Sequence, residues 1–498
     1  MRGEVPSFRD KLEPLLERLP AVERPIGHVH FRSKLAWTIG ILVLYFILAN
    51  VPIFGLSAES IDMFELYRAI VAGASGSIIQ LGIGPIVMGS IILQLFVGAE
   101  IIKLDLKDPR DQAFFQGAQK LLVFFMIIFE ALPQIMGGFL KPDATLAARL
   151  GVDTSVITML IFIQICIGGL LIVFMDEVVS KWGIGSGVSL FIVAGVAEAL
   201  VKGIFSWKLN QIGLPIGIIP KWYHIFTNIP LDQLLTGNGL FFLLIQGEVL
   251  ALIATVAVFL IVTYVESVRI EIPLAHGAVR GARGKFPVKL IYASVLPMIL
   301  VRALQANIQM IGMLLWRSPL PILGHNLVIG EFQGTQPVSG LMYYLSPIHG
   351  PGDWIPVYVT QRIPGIEVWQ IALHVIVDAA ILILGGILFA IFWIHTTGMG
   401  PKETAEKIAA SGMLIPGFRR DPGVIQKVMA RYIPKVTHIS GAFIGALTLL
   451  ASLFGLIGQV GGTGMLLAVS IVYHLYEQLA KEQVMEMHPL MRKLLGEE

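Results

Sequence analysis

GASGSIIQLGIGPIVMGSIILQLFVG, residues 73–98, decides how this chain is built. Its second half is apolar enough to cross a bilayer. Its first half carries Ser75, Ser77 and Gln80, six glycines punctuate the whole, and Pro85 sits in the middle. Glycine and proline cost about 1 and 3 kcal/mol in a helix interior. Irregular backbone at membrane depth is tolerated only where it is buried in protein or lines water. The stretch therefore predicts a span with a broken entry, set among other spans.

The composition agrees. Of 498 residues, 55% are hydrophobic and 14% charged, with a mean hydropathy of +0.77. Soluble domains run near 25% charged. Apolar runs long enough to cross a bilayer recur at 36–55, 80–98, 115–138, 154–176, 185–204, 239–265, 288–315, 367–395, 437–457 and 463–480, which predicts an all-α polytopic membrane protein of ten spans. With the N-terminus inside, Lys and Arg show about a threefold excess on the inner side, which predicts cytoplasmic termini. The opening MRGEVPSFRDKLEPLLERLP has leucines at helical spacing and no apolar h-region, so it reads as an amphipathic surface helix and not a cleavable signal. Cys166 is the only cysteine, which excludes disulfides within the chain and cysteine metal sites.

Two inner loops, 266–287 and 396–436, are long, basic and rich in turn residues. Each charge alone suits lipid headgroups. Two such loops on one face favour docking of something large and anionic, such as RNA. The outer loops at 205–238 and 316–366 carry Trp207, Trp222, Tyr223, Tyr343, Tyr344, Trp354 and Tyr358, which suit an interfacial location. The spans split five and five around 205–238, as an internal duplication predicts.

The chemistry of a pump or enzyme is missing. GARGKFP at 281–287 fails as a phosphate loop, with Val279 where its first glycine belongs and Phe286 after the lysine. GASG at 73–76 has the serine pattern of an intramembrane protease, with His276 or His374 as the base it would need; His276, however, belongs to an inner loop and Ser75 lies toward the outside. The midplane candidates for proton coupling, Glu130, Arg302, His374 and Asp378, form no relay; Arg302 with Asp378 reads as a structural ion pair between spans. No cofactor and no metal are expected.

LGIGPIVMGSIILQL, DEVVSKWGIGSGVSLFI, IPLAHGAVRGARGKFPVK, PILGH, FWIHTTGMGPK, GFRR and GGTGMLLAVSIVYHLYEQL, in this chain order from about residue 30 to 495, resemble the SecY family of protein-translocase channels, most of all its archaeal branch. The resemblance implies ten helices in two pseudo-symmetric halves around an hourglass pore. The organisation it implies is a cytoplasmic segment 1–35, spans 1–5 over 36–204, an external linker 205–238, spans 6–10 over 239–480, and a cytoplasmic tail 481–498. Residues 62–77, with Phe64, Tyr67, Ile70, Ala72 and Ser75, match the plug, a short helix that fills the outer funnel. The glycines of 76–84 then read as a hinge that lets the plug move.

The same resemblance places a ring of aliphatics at the pore waist: Ile83 and Val87, Val188 and Ile192, Ile299, and Leu467. Each i, i+4 pair shares a helix face. Alkyl groups offer a passing chain no hydrogen bonds, and a narrow apolar ring resists wetting. A lateral gate between spans 2 and 7 is implied, with Gln94, Gln116, Gln119 and Asn307 on or beside it. Ribosome contacts fall on Arg280, Arg283, Lys285, Arg419 and Arg420. One departure is Arg269-Ile270-Glu271, where the family commonly carries a basic cluster before IPLAHG.

The function implied is that of a passive protein-conducting channel in the cell membrane, not an enzyme. It passes secretory chains across the bilayer and releases transmembrane segments into lipid. The implied partners are a SecE-like single-span subunit, a second small subunit of the Sec beta or SecG kind, the translating ribosome, signal peptides, nascent chains and membrane lipid. The alternative reading of the residues is a secondary transporter of a small solute.

Overall fold

A computed structural model describes residues 14–16, 18–27, 29–57, 60, 72–98, 101, 102, 104, 108–210, 213–234, 236–276, 283–291, 295–317, 328–334, 336–410, 413, 414 and 422–487. Each expected span meets a helix: α1 (Phe31–Ala49), α2 (Gly84–Gly98), α3 (Pro109–Met136), α4 (Thr154–Trp182), α5 (Gly187–Phe205), α6 (Val249–Ser267), α7 (Leu296–Arg317), α8 (Val368–Thr396), α9 (Pro422–Phe454) and α10 (Gly462–Met487). Among the described residues, 8 helices are long and apolar enough to cross a membrane, and Gly84–Val97 is a shorter apolar one.

Local chemistry sets the ends. Asp108 precedes Pro109, the first residue of α3, and accepts the Arg110 amide. Asp153 does the same for α4, accepting the Thr154 amide at 2.9 Å. The Ser155 hydroxyl, followed by the Thr154 amide, holds the exposed Asp153 carboxyl below the usual carboxylate range. A capping box of Glu367 and Gln370 starts α8.

The sixth span differs from its expected range. It divides into a helix Gly237–Ile245 and α6, with a break at residues 246–248. Glu248 takes φ +57°. Buried Lys221 pairs with Glu248 at 2.6 Å, and the Trp222 indole donates to the Gly247 carbonyl at 2.8 Å. Trp222, expected as an interfacial anchor, thus fastens this break.

The chain forms two compact units. One holds residues 1–195, 310–336 and 474–498; the other holds 196–309 and 337–473. In the first, small residues allow close helix contact, which does in lipid what apolar burial does in water. A Cβ on Gly89 of α2 would lie 2.9 Å from the Val123 side chain of α3, and one on Gly169 of α4 would lie 3.0 Å from Ile127 of α3. At the C-terminal end of α4, the Val22 amide donates to Glu177 at 2.8 Å and its carbonyl accepts from Lys181 at 2.5 Å. The Trp182 indole donates to the Glu23 carbonyl, and Lys120 pairs with Glu177. The N-terminal segment is therefore tied down here to the end of α4, an attachment its amphipathic pattern does not predict.

In the second unit, GAFIG at 441–445 brings α9 onto α8. A Cβ on Gly441 would sit 2.6 Å from the Gly386 carbonyl oxygen, and one on Gly445 would sit 2.4 Å from that of Leu382. Four-residue spacing of small residues is the usual device for such contact.

The first basic loop is more than a loop. Residues Arg269–His276 (β1) and Arg283–Lys289 (β2) pair antiparallel, and β1 also pairs with Met413–Leu414 (β3), giving the order β2-β1-β3. RIEI at 269–272 alternates polar and apolar residues with the period of a strand. Ile272 and Val288 are buried in one cluster with Ala390, Ile394, Met429 and Ile433.

Candidate functional site

The glycine-laced entry to the second span is non-helical until Gly84. Ala72, Gly76 and Gly82 all have positive φ (51°, 67° and 57°). For alanine that conformation costs on the order of 1 kcal/mol. Ala72 is fully buried, and its carbonyl accepts from the Tyr45 hydroxyl of α1 at 2.9 Å. The Ile53 amide donates to the Gly76 carbonyl at 2.8 Å, and the Ile78 amide to Val51 at 3.0 Å. The Gly76 amide donates to the Gln80 side chain at 2.8 Å, and the Gln80 amide group reaches Gln134 of α3 at 3.3 Å. Gly168 of α4 provides the seat: a Cβ there would lie 1.8 Å from the Ile78 carbonyl oxygen.

The glycines expected to form a loose hinge at 76–84 therefore lie in a packed, hydrogen-bonded root. Ile79, Leu81 and Ile83 are each 1% exposed. Gly76 and Gly82 supply the positive φ of this turn, and Gly168 supplies the close approach. Of the expected plug residues, Ala72 belongs to this root and Ser75 is exposed, while Phe64, Tyr67 and Ile70 lie outside the described residues.

The expected ring positions divide between the units. In the first, Ile83 sits in the turn before α2 and not within it, yet the Val87 amide donates to its carbonyl at 3.0 Å, so the helical i, i+4 relation holds. Val188 and Ile192 lie on the first turns of α5, half-buried and fully buried. The start of α5 is capped from α4: Asp176 accepts the Val188 amide at 2.9 Å. A Cβ on Gly187 would meet the Asp176 Cα at 2.5 Å, so only glycine lets that carboxylate in. Asp176 was not among the expected site residues: it lies inside α4, well before Gly187 in sequence, and only the fold brings its carboxylate to the start of α5. In the second unit, Ile299 of α7 and Leu467 of α10 are buried.

Also in the second unit, Arg302 and Asp378 form the expected pair, 3.3 Å apart and 4% and 0% exposed. The pair is part of a larger network. Arg302 donates to Gln305 at 2.7 Å, to Ser452 of α9 at 3.2 Å and to Thr463 of α10 at 3.3 Å. Gln305 donates to Asp378 and to the Leu345 carbonyl, and Asp378 accepts the Ile348 amide. His374 bonds Ser346, so its Nε2 is engaged in this loop. Glu130 of α3 is buried in the first unit. Among the described residues, no group of His, Cys, Asp and Glu could hold a metal.

The gate candidates are less uniform. Gln119 of α3 donates to Ser90 of α2 at 2.6 Å, and Asn307 donates to the Ala303 carbonyl one turn back at 2.7 Å. Gln94 is half-buried and Gln116 exposed. Ser90, a lone hydroxyl in an apolar helix, was the overlooked partner. Of the expected ribosome contacts, the backbone of Arg283 and Lys285 lies in β2, opposite Ala275 and Pro273; Arg280, Arg419 and Arg420 lie outside the described residues. At the base of the hairpin, Arg269 donates to the Tyr473 hydroxyl at 3.1 Å and Lys289 lies 5.3 Å from that ring.

Comparison with known proteins gives this arrangement its relatives. A sequence-family model described as SecY matches residues 77–476, and one described as the plug domain of Sec61p matches residues 43–76. The protein translocase subunit SecY of Archaeoglobus fulgidus is 60% identical over 98% of each chain. That of Haloferax volcanii is 53% identical over 99% of this chain and 100% of its own. Among solved structures, one described as a protein conducting channel superposes with a TM-score of 0.77 at 39% identity, covering 96% of this chain and 98% of that one. Sec61 in the canine ribosome-channel complex from the endoplasmic reticulum gives 0.75 at 39%, with the same coverage.

Proposed function

The chain belongs to the SecY family, and from that premise we propose how its parts work. It is a multi-pass membrane protein and a protein translocation channel with a plug domain. The observation that carries the reading is the agreement of family, plug match and the interrupted entry to α2 at one place in the chain.

In the proposed mechanism, Ile83, Val87, Val188, Ile192, Ile299 and Leu467 form the apolar waist. The plug, 62–77, seals above it and is displaced when a chain enters. Its moving part ends before Ala72, because the backbone from Ala72 onward is bonded to α1 and to the α1–plug connection. The α2–α3 contact of Gln119 with Ser90 braces one side of a lateral gate through which signal sequences and transmembrane segments reach lipid. The channel is passive, with no catalytic step of its own. The basic hairpin and the connection from α8 to the start of α9 dock the translating ribosome on the cytoplasmic side, where both termini also lie; canine Sec61, a similar chain, is known in a ribosome-channel complex. A SecE-like single-span subunit and a second small subunit complete the complex in the cell membrane.

The test is reconstitution. Proteoliposomes holding the purified complex, supplied with ribosomes synthesising a secretory precursor, should protect that precursor from added protease. Equal protection in liposomes lacking the complex would overturn the reading.

A further inference from the structure

Two of the proposed ring residues stand next to the buried arginine network. Ile299 lies three residues before Arg302 on α7, and Leu467 lies four residues after Thr463 on α10. Both spacings keep residues on one helix face. The Arg302 Nε–Thr463 Oγ1 bond, 3.3 Å long, therefore joins α7 to α10 one turn from each ring residue. On the other side of Leu467, Ser470 donates to buried Glu266 of α6. Leu467 thus sits between two buried polar attachments on its own helix face.

An ion pair that served only to neutralise Arg302 would need Asp378 alone. Here the guanidinium also spends its other donors on Gln305, Ser452 and Thr463, on three helices. A planar fork with five donors can do this, and an ammonium cannot. We propose that Arg302 is a positioning residue for the pore waist, fixing Ile299 and Leu467 relative to each other through Thr463 so that their side chains close together. This rests on the ring reading given above.

The experiment is ion conductance of the full-length complex in planar bilayers, with residues 62–71 replaced by a short Gly-Ser linker so that the waist is the barrier left and sets this parent's resting conductance. Thr463→Val keeps the side-chain shape and removes the acceptor. It should raise resting conductance about threefold, the population shift expected when one average interhelical polar bond is removed. Arg302→Lys, which keeps a charge beside Asp378, should leak similarly, and Thr463→Ser should restore the parent value. In an Ile299→Gly background, Thr463→Val should add nothing, because the waist is already open.

If Ile299→Gly leaks while Thr463→Val and Arg302→Lys stay as tight as the parent, the positioning role is wrong and the ring stands. An equal leak from Thr463→Val with and without Ile299→Gly would place the leak elsewhere and also defeat the proposal. If Ile299→Gly itself does not leak, the ring reading fails and this inference falls with it.

Discussion

The carboxylate of Asp176 accepts the backbone amide of Val188 at 2.9 Å, so the start of α5 is capped by the helix before it. Asp176→Ala leaves that amide without its partner. Loss of a capping side chain costs about 1 kcal/mol, and thermal unfolding of the purified chain should register it. Gly187→Ala should do more damage, because its Cβ would lie 2.5 Å from the Asp176 Cα. A Gly187→Ala protein as stable as wild type would contradict the capping geometry.

The root of the plug separates two deletions. Replacing 62–71 with a linker should leave the unfolding temperature near wild type and make the resting channel conduct. Removing 72–77 as well should lower the unfolding temperature, since it strips the bonds to Tyr45, Ile53 and Gln80. Equal stability of the two deletions would count against a structural root.

Arg302 and Asp378 are both buried. Removing one member of a buried pair costs about 3–5 kcal/mol, whereas replacing both with apolar groups is often near neutral. Asp378→Asn should therefore unfold at a lower temperature than the double variant Arg302→Met, Asp378→Leu. The reverse order would show that the charges do not depend on each other.

Burial pushes the His349 imidazole down to about 4, so it is neutral at pH 7 in the folded chain. In the unfolded chain it titrates near the ordinary 6.5. The folded state therefore binds fewer protons between these values, and its stability falls as pH drops from about 6.5 toward 4. His349→Gln should flatten that part of the stability–pH curve. An unchanged slope would assign it to other groups.

Charge reversal at Arg283 and Lys285 with Arg419 and Arg420 should weaken ribosome binding and reduce its salt dependence, because every phosphate neutralised by the protein adds about one to the slope. Co-sedimentation across a salt series measures this, and identical curves would remove the loops from the docking surface.

The spans were legible because apolar length is a one-dimensional signal. So was the Arg302–Asp378 pair, since a lone charge in lipid needs a partner. Ser452 and Thr463 were not legible, being hydroxyls on distant helices that only the fold brings to Arg302. The hairpin at 269–289 was hidden because only RIEI alternates before Pro273, Leu274 and Ala275 break the period, and because its basic residues point first toward docking. The glycines of 76–84 suggest freedom, and Gly76 and Gly82 use it for positive φ in a hydrogen-bonded turn; the seat for that turn, Gly168 against Ile78, joins residues far apart in sequence and was not legible.

The hairpin's buried side has a mechanical meaning. Ile272 and Val288 are packed among Ala390 and Ile394 of α8 and Met429 and Ile433 of α9. A slack loop would absorb a tug at its tip by bending. A two-stranded ladder seated in that cluster is a stiff handle, and α8 and α9, joined glycine to glycine, are what it is bolted to. Whatever grasps the tip therefore has hold of two membrane helices at once.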